Sequence, residues 1–307
     1  MRIGVLTSGG DAPGMNAAIR AVVRTALYYG HDVYGIKNGY RGLIENDMVL
    51  LLHDDVSGGL TKGGTFLGTA RVENFQEQDI REIAYRNLQK RKINALIVIG
   101  GDGSYRGAMA LAEMGVKVVC IPGTIDNDLG GTDKTIGFNT ALNTIVEAID
   151  KLRDTSSSHQ RCSIIETMGR KAGDLALYSG LCSGAEFIIT NDHPVDKNYL
   201  INTLSAWQKE GRRQAIIVVT EHMFDVYELA KEISEKSGFS TRATVLGYIQ
   251  RGGTPVPEDR ILATQLGSYA VTLVNEGIYG VGVGIRNNKL VHNNLEDILN
   301  DLEQHLD

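Results

Sequence analysis

The sequence predicts an α/β fold: two Rossmann-like α/β/α lobes with mainly parallel sheets and the active site in the cleft between them. Three observations carry this reading. Short apolar runs such as Ala95–Ile99 and Val116–Ile121 alternate with segments of helical period, the rhythm of a parallel sheet covered on both faces. The 36 glycines exceed the roughly 7% of ordinary chains, and they collect where those runs end. A length of 307 residues suits two packed units better than one.

Strands are expected at Arg2–Thr7, His31–Ile36, Ala95–Gly100, Val116–Ile121, Cys162–Glu166, Phe187–Ile189, Ala215–Thr220, Ala243–Ile249 and Val281–Ile285. Helices are expected at Gly14–Tyr29, Gln78–Arg91, Ser104–Met114, Thr140–Arg153, Lys197–Glu210, Tyr227–Lys236 and Glu258–Glu276. The helix from Thr140 shows its buried face in Leu142, Ile145, Val146, Ile149 and Leu152. Its polar end, Asp154 to Ser158, suits a crossover into a second unit. The acidic segment from Glu296 onward reads as a solvated helix face.

Composition narrows the function. Hydrophobic residues are 42% and charged residues 22%, a globular balance, and no apolar run approaches the ~20 residues of a membrane span. The net charge of -6 gives a nucleic-acid groove no support. Cys120, Cys162 and Cys182 cannot all pair, and their apolar contexts suggest buried free thiols in a cytoplasmic protein. The seven histidines show no metal-binding spacing, and Trp207 reads as packing.

The chemistry gathers where strands end. Thr7 to Gly14 and Gly100 to Ser104 are glycine-rich turns leading into helices, suited to anions through their backbone N–H groups. The first lacks the Lys-Ser/Thr of a Walker loop. Asp102 and Asp11 each have a bland reading as helix N-caps. Pro122-Gly-Thr-Ile-Asp-Asn-Asp128 adds two carboxylates two positions apart. Three acids and glycine turns at parallel strand ends suit a metal-bound polyphosphate facing a proton acceptor, the outline of a small-molecule kinase.

Taken together, Thr7–Asn16, Gly100–Ser104, Pro122–Asp128, Met168-Gly-Arg170 and Gln250-Arg-Gly-Gly253 resemble the bacterial ATP-dependent 6-phosphofructokinases, over nearly the whole chain to about Asn288. The resemblance implies phosphorylation of fructose 6-phosphate at its 1-hydroxyl by ATP with Mg2+, in a homotetramer. It implies an ATP-binding lobe of residues 1–138 plus 251–300 and a sugar-phosphate lobe of 139–250 plus 301–307. By it, Asp126 is the base, Arg170 and Thr124 attend the transferring phosphoryl group, Asp102 holds Mg2+ and Asp128 helps to organise it. Gly10, Tyr40, Arg71, Val72, Gly101, Asp102, Gly103 and Ser104 match ATP contacts. Thr124, Ile125, Asp126, Met168, Gly169, Arg170, Glu221, Tyr248 and Arg251 match sugar contacts, with Arg161 and Arg242 reaching a neighbour's 6-phosphate. Arg20, Arg24, Arg153, Glu186, Arg212 and Arg213 match an interface pocket for ADP or phosphoenolpyruvate.

Several positions depart from the family pattern. Tyr248 stands where histidine is usual, which implies weaker sugar-phosphate binding with catalysis retained. His222 stands where glycine is usual, and Asn139 where aspartate is usual. His53, Gly58, Glu210 and an end at Asp307, before the family's usual terminus, imply blunted allosteric control. Glycine at 103 and at 123, where pyrophosphate-dependent relatives carry aspartate and lysine, favours ATP as donor. Two rivals remain on sequence grounds. One is a Gly-Gly-Asp-Gly kinase of NAD or lipid type, which leaves Thr124–Asp128 without purpose. The other is a catalytically impaired paralogue serving as nucleotide sensor or subunit.

Overall fold

The computed structural model describes residues 1–159 and 161–304. Two compact units are present: residues 1–140 with 251–307, and residues 141–250.

The first unit is built on an eight-stranded sheet in the order β12-β11-β5-β4-β1-β2-β3, with β6 paired to β5. Its strands are β1 (Arg2–Thr7), β2 (Asp32–Ile36), β3 (Met48–Leu51), β4 (Ala95–Gly100), β5 (Val118–Thr124), β6 (Ile136–Gly137), β11 (Val281–Arg286) and β12 (Lys289–Asn294). The centre is parallel, whereas β3 and β12 close the edges antiparallel. Every residue of β4 is buried, and each of its branched side chains contributes on the order of 1.5–3 kcal/mol by leaving water. Around the sheet lie α1 (Met15–Tyr28), α2 (Tyr40–Glu45), α3 (Gln78–Arg91), α4 (Asp102–Glu113), α9 (Pro257–Glu276) and α10 (Leu295–Gln304). The long α5 (Phe138–His159) begins in this unit and continues as the first element of the next.

The second unit has a four-stranded parallel sheet ordered β10-β7-β9-β8, from β7 (Arg161–Thr167), β8 (Phe187–Ile189), β9 (Ala215–Thr220) and β10 (Ser240–Val245). Its helices α7 (Lys197–Lys209) and α8 (Val226–Ser237) complete a separate core of Ile164, Ile217, Leu204 and Ile233, and α6 (Asp174–Ser183) packs against β7, β8 and β9. Asp196 and Asp225 cap α7 and α8 through the backbone N–H groups of Tyr199, Tyr227 and Glu228.

The structure corrects several expectations. The strand expected over Ala243–Ile249 lies earlier, at Ser240–Val245, and Gly247–Arg251 coils as a 3-10 turn, because Gly247 adopts a left-handed φ of 54°. The two sheets are unequal in size. Cys182 is exposed on α6, whereas Cys120 and Cys162 are buried, with burial pushing the Cys162 thiol up to about 12. Residues 301–304 belong to the first unit, not the second, because α10 packs on α4 and on β11 and β12. Residues 305–307 lie outside the described residues. No helix among the described residues is long and apolar enough to cross a membrane.

One buried acid joins the parts that matter most. Asp259, in the first turn of α9 and 0% exposed, receives the N–H of Gly137 at 3.1 Å, the N–H of Thr140 at 2.7 Å and the Thr140 hydroxyl at 2.6 Å. Replacing it with alanine orphans these donors, and unfolding in urea should show a loss of about 3 kcal/mol or more. Burial pushes the Asp259 carboxyl above the usual carboxylate range, against hydrogen bonds from Thr140, Gly137 and Asn139 that pull it down. The folded state thus keeps this proton to higher pH than the unfolded chain. Its contribution to stability is complete below the ordinary carboxylate range and declines as pH rises to the shifted value. Asp259→Asn should flatten that decline when stability is followed across the acid range.

Candidate active site

Three loops leave the carboxyl ends of neighbouring strands β1, β4 and β5, where parallel α/β sheets place their ligands. The first is the turn from Ser8 to Gly14. It is stitched to a following segment: the Thr7 hydroxyl lies 2.8 Å from that of Thr65, and Thr69 donates to the Gly9 carbonyl at 2.7 Å. Buried Asn16 donates to the carbonyls of Lys62 and Gly63 at 3.1 and 3.4 Å and accepts the Phe66 N–H at 2.9 Å. The stitched segment ends in Arg71 and Val72. Arg251 lies against the same turn, where a Cβ on Gly10 would meet its Cζ at 3.3 Å. Arg251, expected among the sugar contacts, thus belongs with this turn to the first unit.

The second loop opens α4. Gly101 is the N-cap and no side chain caps the helix, so Asp102 is not a cap; it lies in the first turn. Its carboxylate accepts from Arg106 Nε at 2.9 Å and is 26% exposed. Asp11 likewise caps nothing, since Gly14 occupies that position at α1. Ser104 is 2% exposed, and its Oγ has no hydrogen-bond partner among the described residues. Close to Gly9 and Gly100, that hydroxyl suits a ligand oxygen arriving between the two glycine turns. Tyr40 is buried, stacked on Phe75 at 4.3 Å, and donates to the Ser104 carbonyl at 2.5 Å. It supports the helix start from beneath.

The third loop runs from Thr124 to Asp128. Gly123 and Thr124 pair with Ile136 and Gly137 of β6, which Asp259 anchors. The Thr135 hydroxyl donates to the Thr124 carbonyl at 2.7 Å, and the Thr135 N–H donates to Asn127 Oδ1 at 3.0 Å. Asn127 takes a left-handed φ of 55°, a conformation asparagine tolerates well. Asp126 is 7% exposed and its N–H donates to Thr124 Oγ1 at 3.2 Å. A Cβ on Gly101 would lie 3.5 Å from that of Thr124, so the second and third loops adjoin. Among the described residues no three His, Cys, Asp or Glu side chains converge as a metal cage.

In the second unit, Met168-Gly-Arg170 follows β7 and Glu221 follows β9. Glu221 Oε1 accepts the N–H of Gly169 at 3.2 Å and that of Arg170 at 2.8 Å. Arg170 has a left-handed φ of 54°, which costs about 1 kcal/mol for a residue with a Cβ. Burial, then the neighbouring Glu221, raises the Glu166 carboxyl above its ordinary value. Tyr248 projects from the 3-10 turn at 78% exposure. Arg161 starts β7 and Arg242 lies near the start of β10, so both stand at the opposite end of the strands from Met168, roughly 20 Å along β7.

The residues matched to an effector pocket are divided. Arg20 and Arg24 lie one turn apart on α1, with buried Nε atoms lacking partners among the described residues. Burial and then Arg24 lower the Arg20 pKa. Arg153 donates to the carbonyls of Ser183 and Gly184, Glu186 accepts the Ile216 N–H at 2.7 Å, and Arg212 stacks over Trp207 at 4.2 Å. Arg213 is exposed. Sequence reasoning missed Asn16 and Asp259, whose partners lie far away in the chain, and Thr135, which reaches back across its own loop to Thr124 and Asn127. Asn127, held between two aspartates in a turn, did carry a signal.

The phosphofructokinase family profile matches residues 2–274. The chain belongs to that family. It is similar to the phosphofructokinase of Saccharomyces cerevisiae, at 36% identity and a TM-score of 0.91 over 99% of this chain and 46% of that one. It is similar to that of Pichia pastoris in the T-state, at 37% identity and a TM-score of 0.93 over 99% of this chain and 36% of that one. This phosphofructokinase-family chain thus spans less than half the length of either yeast chain. The pyrophosphate-dependent phosphofructokinase of Marinobacter aquaeolei shares the fold, with a TM-score of 0.86 at 21% identity over 98% of this chain and 84% of that one.

Because the Ser104 Oγ lacks a partner, Ser104→Ala should leave ligand-free stability within about 0.5 kcal/mol of wild type.

Proposed function

We propose that this chain is an ATP-dependent 6-phosphofructokinase, transferring the terminal phosphoryl group of ATP to the 1-hydroxyl of fructose 6-phosphate in the cytoplasm. The observation that carries the reading is Asp126: a carboxylate 7% exposed, on a loop fixed by Thr135 and β6 and adjoining the turn that holds Asp102 and Ser104. A fixed carboxylate beside a polyphosphate site is what proton abstraction from an acceptor hydroxyl requires.

In this reading the acceptor O–H bond breaks as Asp126 takes the proton, the oxygen bonds to the terminal phosphorus, and the bond to the β-phosphate oxygen breaks to release ADP. Thr124 donates near the transferring group. Arg170, its backbone held by Glu221, offers a guanidinium to the charge spread over the phosphoryl oxygens. Mg2+, when bound through Asp102 with help from Asp128, neutralises charge on the nucleotide phosphates. Glu221, Met168 and Gly169 orient the sugar. Arg161 and Arg242, standing at the far end of the strands, support a homotetramer in which they serve a neighbouring subunit's 6-phosphate. Arg20 and Arg24 support an anion-binding regulatory pocket. The partners already held by Arg153, Glu186 and Arg212 favour the expectation that its control is blunted.

Donor choice follows from two glycines. A Cβ on Gly103 meets nothing within 4 Å, which leaves room for a nucleotide's inner phosphate. A Cβ on Gly123 would meet Ile99 Cγ2 at 3.0 Å and Met15 Cε at 3.1 Å, so a longer side chain there needs those two tips to give way, and glycine leaves them undisturbed.

A coupled assay with fructose 6-phosphate should show turnover with MgATP and little with pyrophosphate; the reverse order sinks the donor assignment. Asp126→Asn should lower kcat by roughly 1,000-fold or more while MgATP binding persists by calorimetry. Gly103→Asp should fold normally and lose MgATP turnover by about 100-fold through repulsion of the nucleotide.

A further inference from the structure

Three consecutive N–H groups of the Met168–Arg170 turn are received by side-chain oxygens. Glu221 Oε1 takes those of Gly169 and Arg170, and Gln250 Oε1 takes that of Met168 at 3.1 Å. The turn depends on such partners. Gly169 has a φ of 140° and Arg170 a φ of 54°, so neither continues β7 nor starts a helix. Gln250 is 0% exposed and its Nε2 donates to the Gly247 carbonyl at 3.0 Å, inside the 3-10 turn that presents Tyr248. The Leu246 N–H, one residue earlier, donates to the Glu166 carbonyl of β7 at 3.1 Å. A single buried amide therefore spans two turns, accepting from one and donating to the other.

We propose that Gln250 is a positioning residue for phosphoryl transfer: it holds the backbone from which Arg170 projects and locks it to the turn that carries Tyr248. This rests on the functional reading above. Gln250 cannot touch a soluble substrate, unlike Glu221, whose side chain is 19% exposed. Any kinetic effect at Gln250 must therefore travel through the turns. The residue type fits the task. A neutral amide offers an acceptor and a donor together, and it can be buried without the penalty of an ionised group. Methionine fills similar space with neither function. Glutamate keeps an acceptor for Met168 and, when ionised, sets a second oxygen against the Gly247 carbonyl.

The test uses Gln250→Met and Gln250→Glu in the full chain, each also combined with Arg170→Ala. In Gln250→Met, amide exchange at Met168, Gly169 and Arg170 should quicken about 10- to 100-fold. kcat/KM for fructose 6-phosphate should fall about 10- to 100-fold, the scale of a small misplacement of a charged group. KM for MgATP should stay within about twofold. In the Arg170→Ala background the same substitution should cost less than about threefold, because the group it positions is gone. Gln250→Glu should fall between wild type and Gln250→Met, and it carries the same readouts if the methionine variant does not fold. Unchanged exchange at the three amides, an equal loss in both Arg170 backgrounds, or a parallel rise in KM for MgATP overturns the proposal. A wild-type chain that fails to phosphorylate fructose 6-phosphate overturns the functional reading instead. Unchanged exchange in a variant of an active wild type overturns only the role of Gln250.

Discussion

Asp259 is the point on which the first unit's chemistry depends. A carboxylate with no exposure joins the start of α5 and strand β6, and β6 in turn fixes Gly123 and Thr124 at the mouth of the loop that carries Asp126 and Asp128. Its own residue faces the end of the first glycine turn, since a Cβ on Gly14 would meet the Asp259 carbonyl at 3.5 Å. The Ser8–Gly14 turn and the loop bearing Asp126 are thus referred to one rigid group rather than to each other. Groups that must align a phosphate and a hydroxyl gain from such a common anchor.

The same device recurs through the chain. Asn16, Asn127, Glu221 and Gln250 each spend a polar side chain on backbone groups of a loop that secondary structure leaves without partners. Loops organised by side chains can hold left-handed residues such as Asn127 and Arg170 in place. The parallel sheets supply the positions of the strand ends. These buried amides and carboxylates supply the shapes of the turns.

The sequence read well where the signal was local. β1, β4, β8 and β9 and the helix α3 fall where apolar runs and helical period put them, because a strand buried on both faces has few other ways to be written. It read poorly where conformation came from elsewhere. β12 pairs antiparallel at one edge with mixed polarity and gave no strand pattern, and β3 at the other edge is a four-residue apolar run too short to stand out. The apolar run after Ala243 looked like strand, yet Gly247 turned it. At the site, the acids and glycines stood out as motifs. Which acid capped a helix did not, since Gly101 took the cap and left Asp102 to Arg106. Tyr40, matched in sequence to a nucleotide contact, is buried against Phe75 and donates to the Ser104 carbonyl, a placement only packing shows.

The unequal surroundings of Gly103 and Gly123 bear on how such a protein changes over generations. An acidic side chain can arise at the open position in one step, but it creates repulsion with no cation to offset it. A side chain at the crowded position must first press back the tips of Ile99 and Met15. Growth of a side chain at position 123 therefore draws on the packing beneath it, whereas growth at position 103 does not. Drift in the hydrophobic layer under the loop, not selection on the loop itself, then sets when the crowded position opens.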